Sequence, residues 1–202
     1  MKSGTDQMYG EEYLAYLRDR NVVRKLLRKL YLLDIRSYCT GKTIEFGCGT
    51  GELLELLPAG SVGYEVNTEA VNYCRSKNLN VEFYNPAEDD YAFRNIPQET
   101  YLTFTMNHVL EHLEDPHLVI KKIFESCNRL GIKRIVFTVP GPKGFRSDKT
   151  HLTFIDQKYF RRYGLFENHY FKLRMYKYFP INISSFGRIF THNELRIVFD
   201  KK

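Results

Sequence analysis

The stretch that most constrains this chain runs from residue 42 to residue 57 and reads KTIEFGCGTGELLELL. It begins as a short apolar strand, passes through Gly47, Gly49 and Gly51 at alternate positions, and ends in closely spaced leucines. Glycines let a loop turn tightly and let a ligand lie against the backbone, and the leucine spacing predicts an amphipathic helix behind the loop. Because the start of a helix offers unpaired N–H groups, the stretch predicts a cradle for a small ligand with an anionic group.

A second acidic residue supports this interpretation. Glu65 ends the next predicted strand, about twenty residues after Glu45, where an acid accepts hydrogen bonds from ribose hydroxyls in dinucleotide-type sites. Strand and helix signals alternate through the residues that follow. This alternation predicts an α/β sheet in which helices connect the strands.

The composition limits the classes of function. A length of 202 residues favours one α/β domain. The net charge of +6 favours anionic partners, but the basic residues are scattered, so nucleic acid is the less favoured partner. Four cysteines without C-x-x-C spacing indicate neither a zinc site nor a disulfide framework. With no signal-peptide pattern and no apolar run long enough for a membrane span, we expect a cytoplasmic protein. The oligomeric state stays open.

Three segments resemble one known family. The residues from Glu45 to Gly51, EFGCGTG, resemble motif I of the class I S-adenosylmethionine (SAM) methyltransferases, and Gly63 to Val66 resemble their second motif. The segment NHVLEHL, from Asn107 to Leu113, resembles the VLEH segment of the ubiquinone-type and glycan-modifying branch. The resemblance implies a SAM-dependent methyltransferase with a Rossmann-like doubly wound sheet of about seven strands. That sheet would be mostly parallel, with an antiparallel C-terminal strand and helices on both faces.

The resemblance also implies a domain organisation and a cofactor site. Residues 1–40 would form an N-terminal helical extension over the cofactor site, and residues 41–202 would form the SAM-binding domain. Glu45 would hold the ammonium group of SAM, Glu65 its ribose hydroxyls, and a loop over residues 85–90 would lie near the adenine. The predicted cofactor-binding residues are Glu45, Gly47, Gly49, Gly51, Glu65, Ala87, Glu88 and Asn107.

Catalysis is less constrained, and three interpretations stay open. On a helix, His108, Glu111 and His112 would share one face, and a long loop over residues 140–148 precedes His151. His151 or His112 could act as a single base near neutral pH. Glu111, His112 and His151 also resemble part of the metal site of terminal-ribose RNA methyltransferases. The third interpretation is a polar network that holds no metal.

The sequence therefore predicts an enzyme that uses SAM, with O-methylation of a small molecule, a glycan or a lipid-linked intermediate as the main interpretation. One alternative is methylation of a terminal ribose of RNA, which the positive charge and the partial metal motif support. A weaker alternative, from a different class, is a non-catalytic SAM-binding subunit.

Overall fold

The computed structural model describes residues 22–202, with side chains from residue 28 onward. The strands in chain order are β1 (Thr43–Phe46), β2 (Val62–Glu65), β3 (Val81–Phe83), β4 (Thr103–Asn107), β5 (Arg134–Pro140), β6 (Phe171–Phe179) and β7 (Glu194–Lys201). The α-helices are α1 (Val22–Tyr38), α2 (Thr68–Ser76), α3 (Pro86–Asp89), α4 (Pro116–Arg129), α5 (Pro142–Arg146) and α6 (Gln157–Arg162). Residues 1–21, which include the start of the predicted N-terminal extension, lie outside the described part.

The seven strands form one sheet in the order β3-β2-β1-β4-β5-β7-β6. The first five strands pair in parallel, whereas β7 runs antiparallel to both β5 and β6. From β1 the chain moves outward to β2 and β3, then returns to place β4 on the other side of β1. This reversal creates a switch point at the carboxyl ends of β1 and β4, where open α/β sheets bind their ligands. The predicted fold class is confirmed.

Side-chain alternation along the strands builds a core on each face of the sheet. On β5, Ile135 and Phe137 pack with α4 and α6 on one face, while Val136 between them packs toward α1 on the other. All three of these β5 side chains are fully buried. Successive strand residues point to opposite faces of the sheet. Because both faces of this mostly parallel sheet are covered, its central strands have apolar residues at successive positions rather than at alternate ones.

Helix α1 covers the sheet beside the switch point. Its residues Tyr31, Leu32 and Ile35 are buried in the cluster that contains Cys48 of the glycine loop and Val198 of β7. Burial of an aliphatic side chain such as Ile35 stabilises a fold by roughly 1.5–3 kcal/mol. The described part of the predicted N-terminal helix is therefore packed on the domain. Within residues 22–202, no helix is long and apolar enough to cross a membrane.

The segment behind the glycine loop differs from the prediction. In place of an amphipathic α-helix, residues Leu54–Leu56 form a single turn of 3-10 helix. Pro58 explains the difference, since a proline disfavours helical backbone at the residue before it. Leu57 is accordingly extended, with ψ of 158°. The glycine loop is thus followed by one short turn, and any anion bound there would rely on loop N–H groups rather than on a long helix.

Two predicted loops contain short helices. Residues Pro86–Asp89 form α3, where the Asn85 side chain accepts a hydrogen bond from Ala87 N at 3.1 Å. Residues Pro142–Arg146 form α5 inside the predicted 140–148 loop. In both helices a proline occupies the first turn, where its fixed φ suits a helix and its missing N–H costs nothing. A proline in a sequence is typical of a loop and also of the first turn of a helix. Only the tertiary packing decides which of these two structures forms.

Candidate cofactor and active site

The glycine loop bends at the carboxyl end of β1. Gly47 N donates to Tyr64 O at 2.7 Å, which ties the loop to β2. Gly49 has a φ of +53°, and a Cβ built on it would meet nothing within 4 Å. The loop therefore presents bare backbone to open space at this residue. A ligand could approach the chain more closely there than any side chain would allow.

Glu65, at the end of β2, is joined directly to the glycine loop. Its Oε2 accepts a hydrogen bond from Gly49 N at 2.7 Å, and its Oε1 accepts from Val66 N at 2.8 Å and Asn67 N at 2.9 Å. Burial raises the pKa of Glu65 despite these three N–H groups. An ionised carboxylate has about four acceptor positions. Glu65 can therefore orient the loop and still accept a hydrogen bond from a ligand hydroxyl.

Glu45 is a buried acid in the middle of the sheet. Its side chain is 4% exposed, and its Oε2 has no hydrogen-bond partner among the described residues. Burial raises the pKa of Glu45 well above its usual range, while the positive charge of Arg28 on α1 opposes that shift. A buried carboxylate without enough partners is unfavourable. The site therefore suits a ligand that brings a positive charge, such as the ammonium group predicted for this position.

The remaining predicted cofactor residues lie at the same edge of the sheet. Ala87 and Glu88 are exposed on α3, directly after β3. Asn107 ends β4, and its Nδ2 donates to Thr105 Oγ1 at 3.0 Å. The parallel strands β1 to β4 place all these residues at the carboxyl ends.

The segment after β4 packs against the glycine loop. A Cβ on Gly47 would come within 2.3 Å of Val109 Cγ2, so the absence of a side chain makes room for Val109. His108, between β4 and Val109, has a left-handed backbone with φ of +53° and lies outside the 3-10 helix Leu110–His112. The predicted helix face shared by His108, Glu111 and His112 is therefore wrong. The turn nevertheless holds this segment directly beside the loop.

Glu111, His112 and His151 form one cluster. One potential ligand atom from each lies within 4.8 Å of the other two. Glu111 is fully buried, and its Oε2 lacks a hydrogen-bond partner in the described part of the chain. The backbone joins the two segments, because Leu152 N donates to Glu111 O at 2.8 Å. Residues forty positions apart in sequence thus converge, as the predictions for a base or a metal site both require.

The hydrogen bonds of the two histidines indicate which nitrogens could react. His151 Nδ1 lies 2.8 Å from Phe145 O, which can only accept, so Nδ1 carries a proton. In the neutral form of this ring the lone pair is on Nε2, which lies 3.9 Å from Glu111 Oε1. For His112, burial lowers the pKa. Neutral imidazoles can accept a proton or bind a metal ion, and this arrangement permits both.

His108 is held between two acids. Its Nδ1 lies 3.0 Å from Glu111 Oε1, and its Nε2 lies 3.4 Å from Glu194 Oε1 at the start of β7. Burial alone would lower the pKa of His108, but Glu194 and Glu111 together raise it to about 10. His108 is therefore an imidazolium at neutral pH. Its charge and its Nδ1 contact hold the carboxylate of Glu111 in place, while its Nε2 contacts Glu194.

A buried ion pair that is linked to His108 through Glu194 was not predicted from the sequence. Arg196 of β7 is fully buried, and its Nε lies 2.5 Å from Asp34 Oδ2 on α1. Its Nη1 lies 3.5 Å from Glu194 Oε2, and its guanidinium packs between the rings of Tyr31 and Phe179 at 4.6 and 4.7 Å. One arginine within the apolar run LRIVF was the available signal. Opposite charges thus connect α1 to the cluster through Glu194 and His108.

A doubly wound sheet with a glycine loop at its switch point and an acid at the end of β2 defines a Rossmann-like protein that binds a nucleotide-type cofactor. A family model described as a methyltransferase domain matches residues 13–198 of the chain. The chain belongs to this family and is a class I SAM-dependent methyltransferase. A search of curated protein sequences found no match.

Solved methyltransferases share the fold. A SAM-dependent methyltransferase from Archaeoglobus fulgidus is 20% identical with a TM-score of 0.68, over 96% of this chain and 100% of that chain. Magnesium protoporphyrin IX methyltransferase (ChlM) from Synechocystis PCC 6803, with bound SAH, is 13% identical with a TM-score of 0.62, over 98% and 93% of the two chains. The small RNA methyltransferase HEN1 is 16% identical with a TM-score of 0.60, over 89% of this chain and 25% of that chain.

These findings confirm three of the predictions, namely the fold class, the methyltransferase activity and SAM as the cofactor. The role of each site residue stays a prediction. The structure brings Gly49 into contact with Glu65, and Glu111 into contact with His108 and His151.

Proposed function

We propose that this enzyme transfers the methyl group of SAM to a hydroxyl of a small molecule, a glycan or a lipid-linked intermediate. The observation that carries this proposal is the cluster of Glu111, His112 and His151 beside the glycine loop. A hydroxyl must lose its proton as its oxygen gains a methyl group, and a neutral imidazole suits that task near neutral pH. The free thiols of the four buried cysteines support a reducing compartment such as the cytoplasm.

The cofactor would lie along the carboxyl ends of β1, β2 and β4. SAM, when bound, supplies the activated methyl group, so the protein chiefly orients the reactants and excludes water. The bare backbone at Gly49 would admit the methionine part, and the unpartnered Oε2 of Glu45 would meet its ammonium group. Glu65 would accept hydrogen bonds from the ribose, and Ala87 and Glu88 would lie near the adenine. Asn107 would line the site at the end of β4.

In this proposal His151 is the general base. Its Nε2 would take the proton that the acceptor hydroxyl loses as it receives the methyl group that bound SAM would supply. Glu111 Oε1, 3.9 Å from Nε2, would stabilise the imidazolium that results. The hydrogen bond between Nδ1 and Phe145 O fixes the ring orientation and tautomer. His112, whose ring centroid is 4.8 Å from that of His151, is the alternative base.

We expect His151→Ala to slow methyl transfer by about 10²–10⁴-fold, the usual contribution of a positioned base. Its affinity for SAM should stay unchanged, because His151 is assigned to the acceptor side. Turnover of labelled SAM with a cell extract measures the first effect, and calorimetry with SAM measures the second. His169→Ala is the matched control, since His169 is an exposed histidine outside the cluster. An unchanged rate in His151→Ala would remove this residue from the proposed mechanism.

We expect Glu65→Gln to weaken SAM binding by about 10- to 100-fold, or roughly 1.5–3 kcal/mol for hydrogen bonds to a charged group. The substitution removes the carboxylate that would bind the ribose and places an amide donor against N–H groups of the chain. Calorimetry with SAM measures the loss. Glu69→Gln, at an exposed position four residues further on in α2, should bind SAM normally. Equal affinities in both variants would contradict the role assigned to Glu65.

A second candidate is methylation of a terminal ribose of RNA with a bound metal ion. The three ligand atoms within 4.8 Å support it, as does the unpartnered Oε2 of Glu111. HEN1, named as a small RNA methyltransferase, also shares the fold. One carboxylate and two imidazoles suit a transition metal ion such as Mn²⁺ better than Mg²⁺, which prefers oxygen ligands. Glu111, His112 and His151 would hold the ion.

Two treatments separate the candidates. Chelation should abolish turnover in the metal-dependent case, with recovery on addition of Mg²⁺ or Mn²⁺, whereas a His151 base needs no ion. RNase treatment of the extract should abolish turnover only where RNA is the acceptor. A chain that bound SAM but supported no turnover in any extract would instead match the third alternative, a non-catalytic SAM-binding subunit.

A further inference from the structure

A second recess lies away from the glycine loop, between the edge strand β6 and the start of α6. It is a cleft of about 460 Å³ that opens to solvent. Its lining includes two tyrosine rings and four polar side chains, from Tyr176, Tyr178, Asp156, Gln157, Lys158 and Asn182. We infer that this cleft binds a neutral sugar unit of an extended acceptor. The inference rests on the proposed methylation of a hydroxyl and adds a second point of contact for the substrate.

The two tyrosines give the cleft an aromatic wall. They are two positions apart on β6, so both rings project to the same face of the sheet. Tyr176 is 40% exposed, and its ring stacks on Phe166 at an interplanar angle of 25°. Burial raises the pKa of Tyr178, so its phenol keeps its proton at neutral pH and can donate. A rigid aromatic surface beside a hydroxyl donor suits the apolar C–H face of a sugar ring and its polar edge.

Backbone contacts fix two of the polar side chains. Asp156 Oδ1 accepts from Tyr159 N at 2.9 Å, and Asn182 Oδ1 accepts from Tyr178 N at 2.9 Å. These bonds use one oxygen of each side chain and leave Asp156 Oδ2 and Asn182 Nδ2 for a ligand. The cleft therefore combines fixed acceptors with fixed donors. Hydroxyl groups both donate and accept, so a polyhydroxylated ligand can pair with all of these groups.

The charge of the cleft favours a neutral ligand over a polyanion. Its lining carries one carboxylate, Asp156, and one amine, Lys158, which balance each other. Single-stranded nucleic acids bind where basic side chains exceed acidic ones along the path of the phosphates. A carboxylate facing the ligand would repel a phosphate. A sugar without charged groups meets no such repulsion.

The cleft lies within reach of the proposed active site. Asp156 is five positions after His151, a span of at most about 18 Å for an extended chain. The segment is pinned along Glu111 and Leu113, because Thr153 N donates to Glu111 O at 3.1 Å and Thr153 Oγ1 donates to Leu113 O at 2.8 Å. The separation between the two sites is therefore fixed. A chain of several sugars could present one hydroxyl at His151 while another unit occupies the cleft.

The test uses an array of immobilised neutral oligosaccharides probed with the labelled full-length chain. We expect binding to a subset of the array, reduced at least tenfold by Tyr176→Ala and by Asn182→Ala. Tyr170→Ala is the matched control, because Tyr170 is 39% exposed and lies outside the cleft. Calorimetry with SAM verifies that each variant is folded. No binding to any sugar, or equal binding by the cleft variants and the control, would overturn the inference.

Two further measurements distinguish the causes of failure. A labelled uridine decamer that bound instead of the sugars, and was lost in the cleft variants, would show RNA in the cleft and also overturn the inference. The His151→Ala variant should bind the array normally, because the cleft is separate from the cluster. Sugar binding without methyl transfer to any hydroxyl, of the bound sugar or of an acceptor in the extract, would refute the proposed function and leave the cleft assignment intact. Methyl transfer to a sugar hydroxyl that is unchanged in the cleft variants would support the proposed function and overturn the cleft assignment.

Discussion

A Gly49→Asp variant should lose measurable SAM binding while keeping its fold. The backbone at Gly49 has a φ of +53°, a conformation that aspartate tolerates better than most residues, so the strain costs about 1–2 kcal/mol. Nothing lies within 4 Å of the added Cβ, so the protein leaves room for the first atom of the new side chain. It would project into the space assigned to the methionine part of SAM. There it would place a second carboxylate beside Glu65 and against the carboxylate of SAM.

The expected loss in SAM affinity is at least 100-fold, which corresponds to about 2.7 kcal/mol or more. Calorimetry with SAM and with its demethylated product measures it, and thermal unfolding confirms that the variant is folded. Gly60→Asp is a matched control, because Gly60 has a φ of +81° and its added side chain would meet only the flexible end of Lys42. Both substitutions impose similar backbone strain, but only Gly49→Asp lies in the site proposed for the cofactor. Normal SAM binding by Gly49→Asp would overturn the assignment of the glycine loop.

An Arg196→Ala variant should lose about 3–5 kcal/mol of unfolding free energy, the usual cost of removing one partner from a buried ion pair. Arg196 is fully buried, and its removal leaves Asp34 and Glu194 without their shared positive charge. It also removes the group packed between Tyr31 and Phe179. Because domains of this kind have about 5–15 kcal/mol of stability in total, the loss should be large in urea unfolding. The slope of the transition should remain near that of the wild type.

A double variant tests the cause of this loss. Arg196→Met keeps much of the apolar volume but not the charge, and Asp34→Asn removes the opposing charge. If the uncompensated carboxylate is the main cost, the double variant should be more stable than Arg196→Met alone, since paired removal costs less than breaking a buried pair. A double variant with the sum of both single losses would show that the two side chains act independently. It would also contradict the proposed electrostatic link between α1 and β7.

Much of the cofactor half of the site could be predicted from local sequence. Three alternate glycines require a bend that few other residues adopt, and Glu65 follows a strand of recognisable pattern at a characteristic distance from Glu45. These signals depend on backbone conformation and on neighbours in sequence. The helix predicted behind the loop was wrong because Pro58 limits the segment to one 3-10 turn. The left-handed backbone of His108 was likewise not predicted, and this residue lies between Glu111 and Glu194, the second of which is far away in sequence.

Local sequence was enough to predict the doubly wound α/β class, the glycine loop after β1 and the identity of the residues that could do chemistry. It did so because periodicity, glycine conformation and short motifs act over a few neighbouring residues. The tertiary structure alone decided that His151 meets Glu111, that Arg196 meets Asp34 and that Tyr176 lies beside Asn182 in one cleft. The first two pairs join segments far apart in the chain. Such contacts depend on how strands and helices pack, which no local pattern specifies.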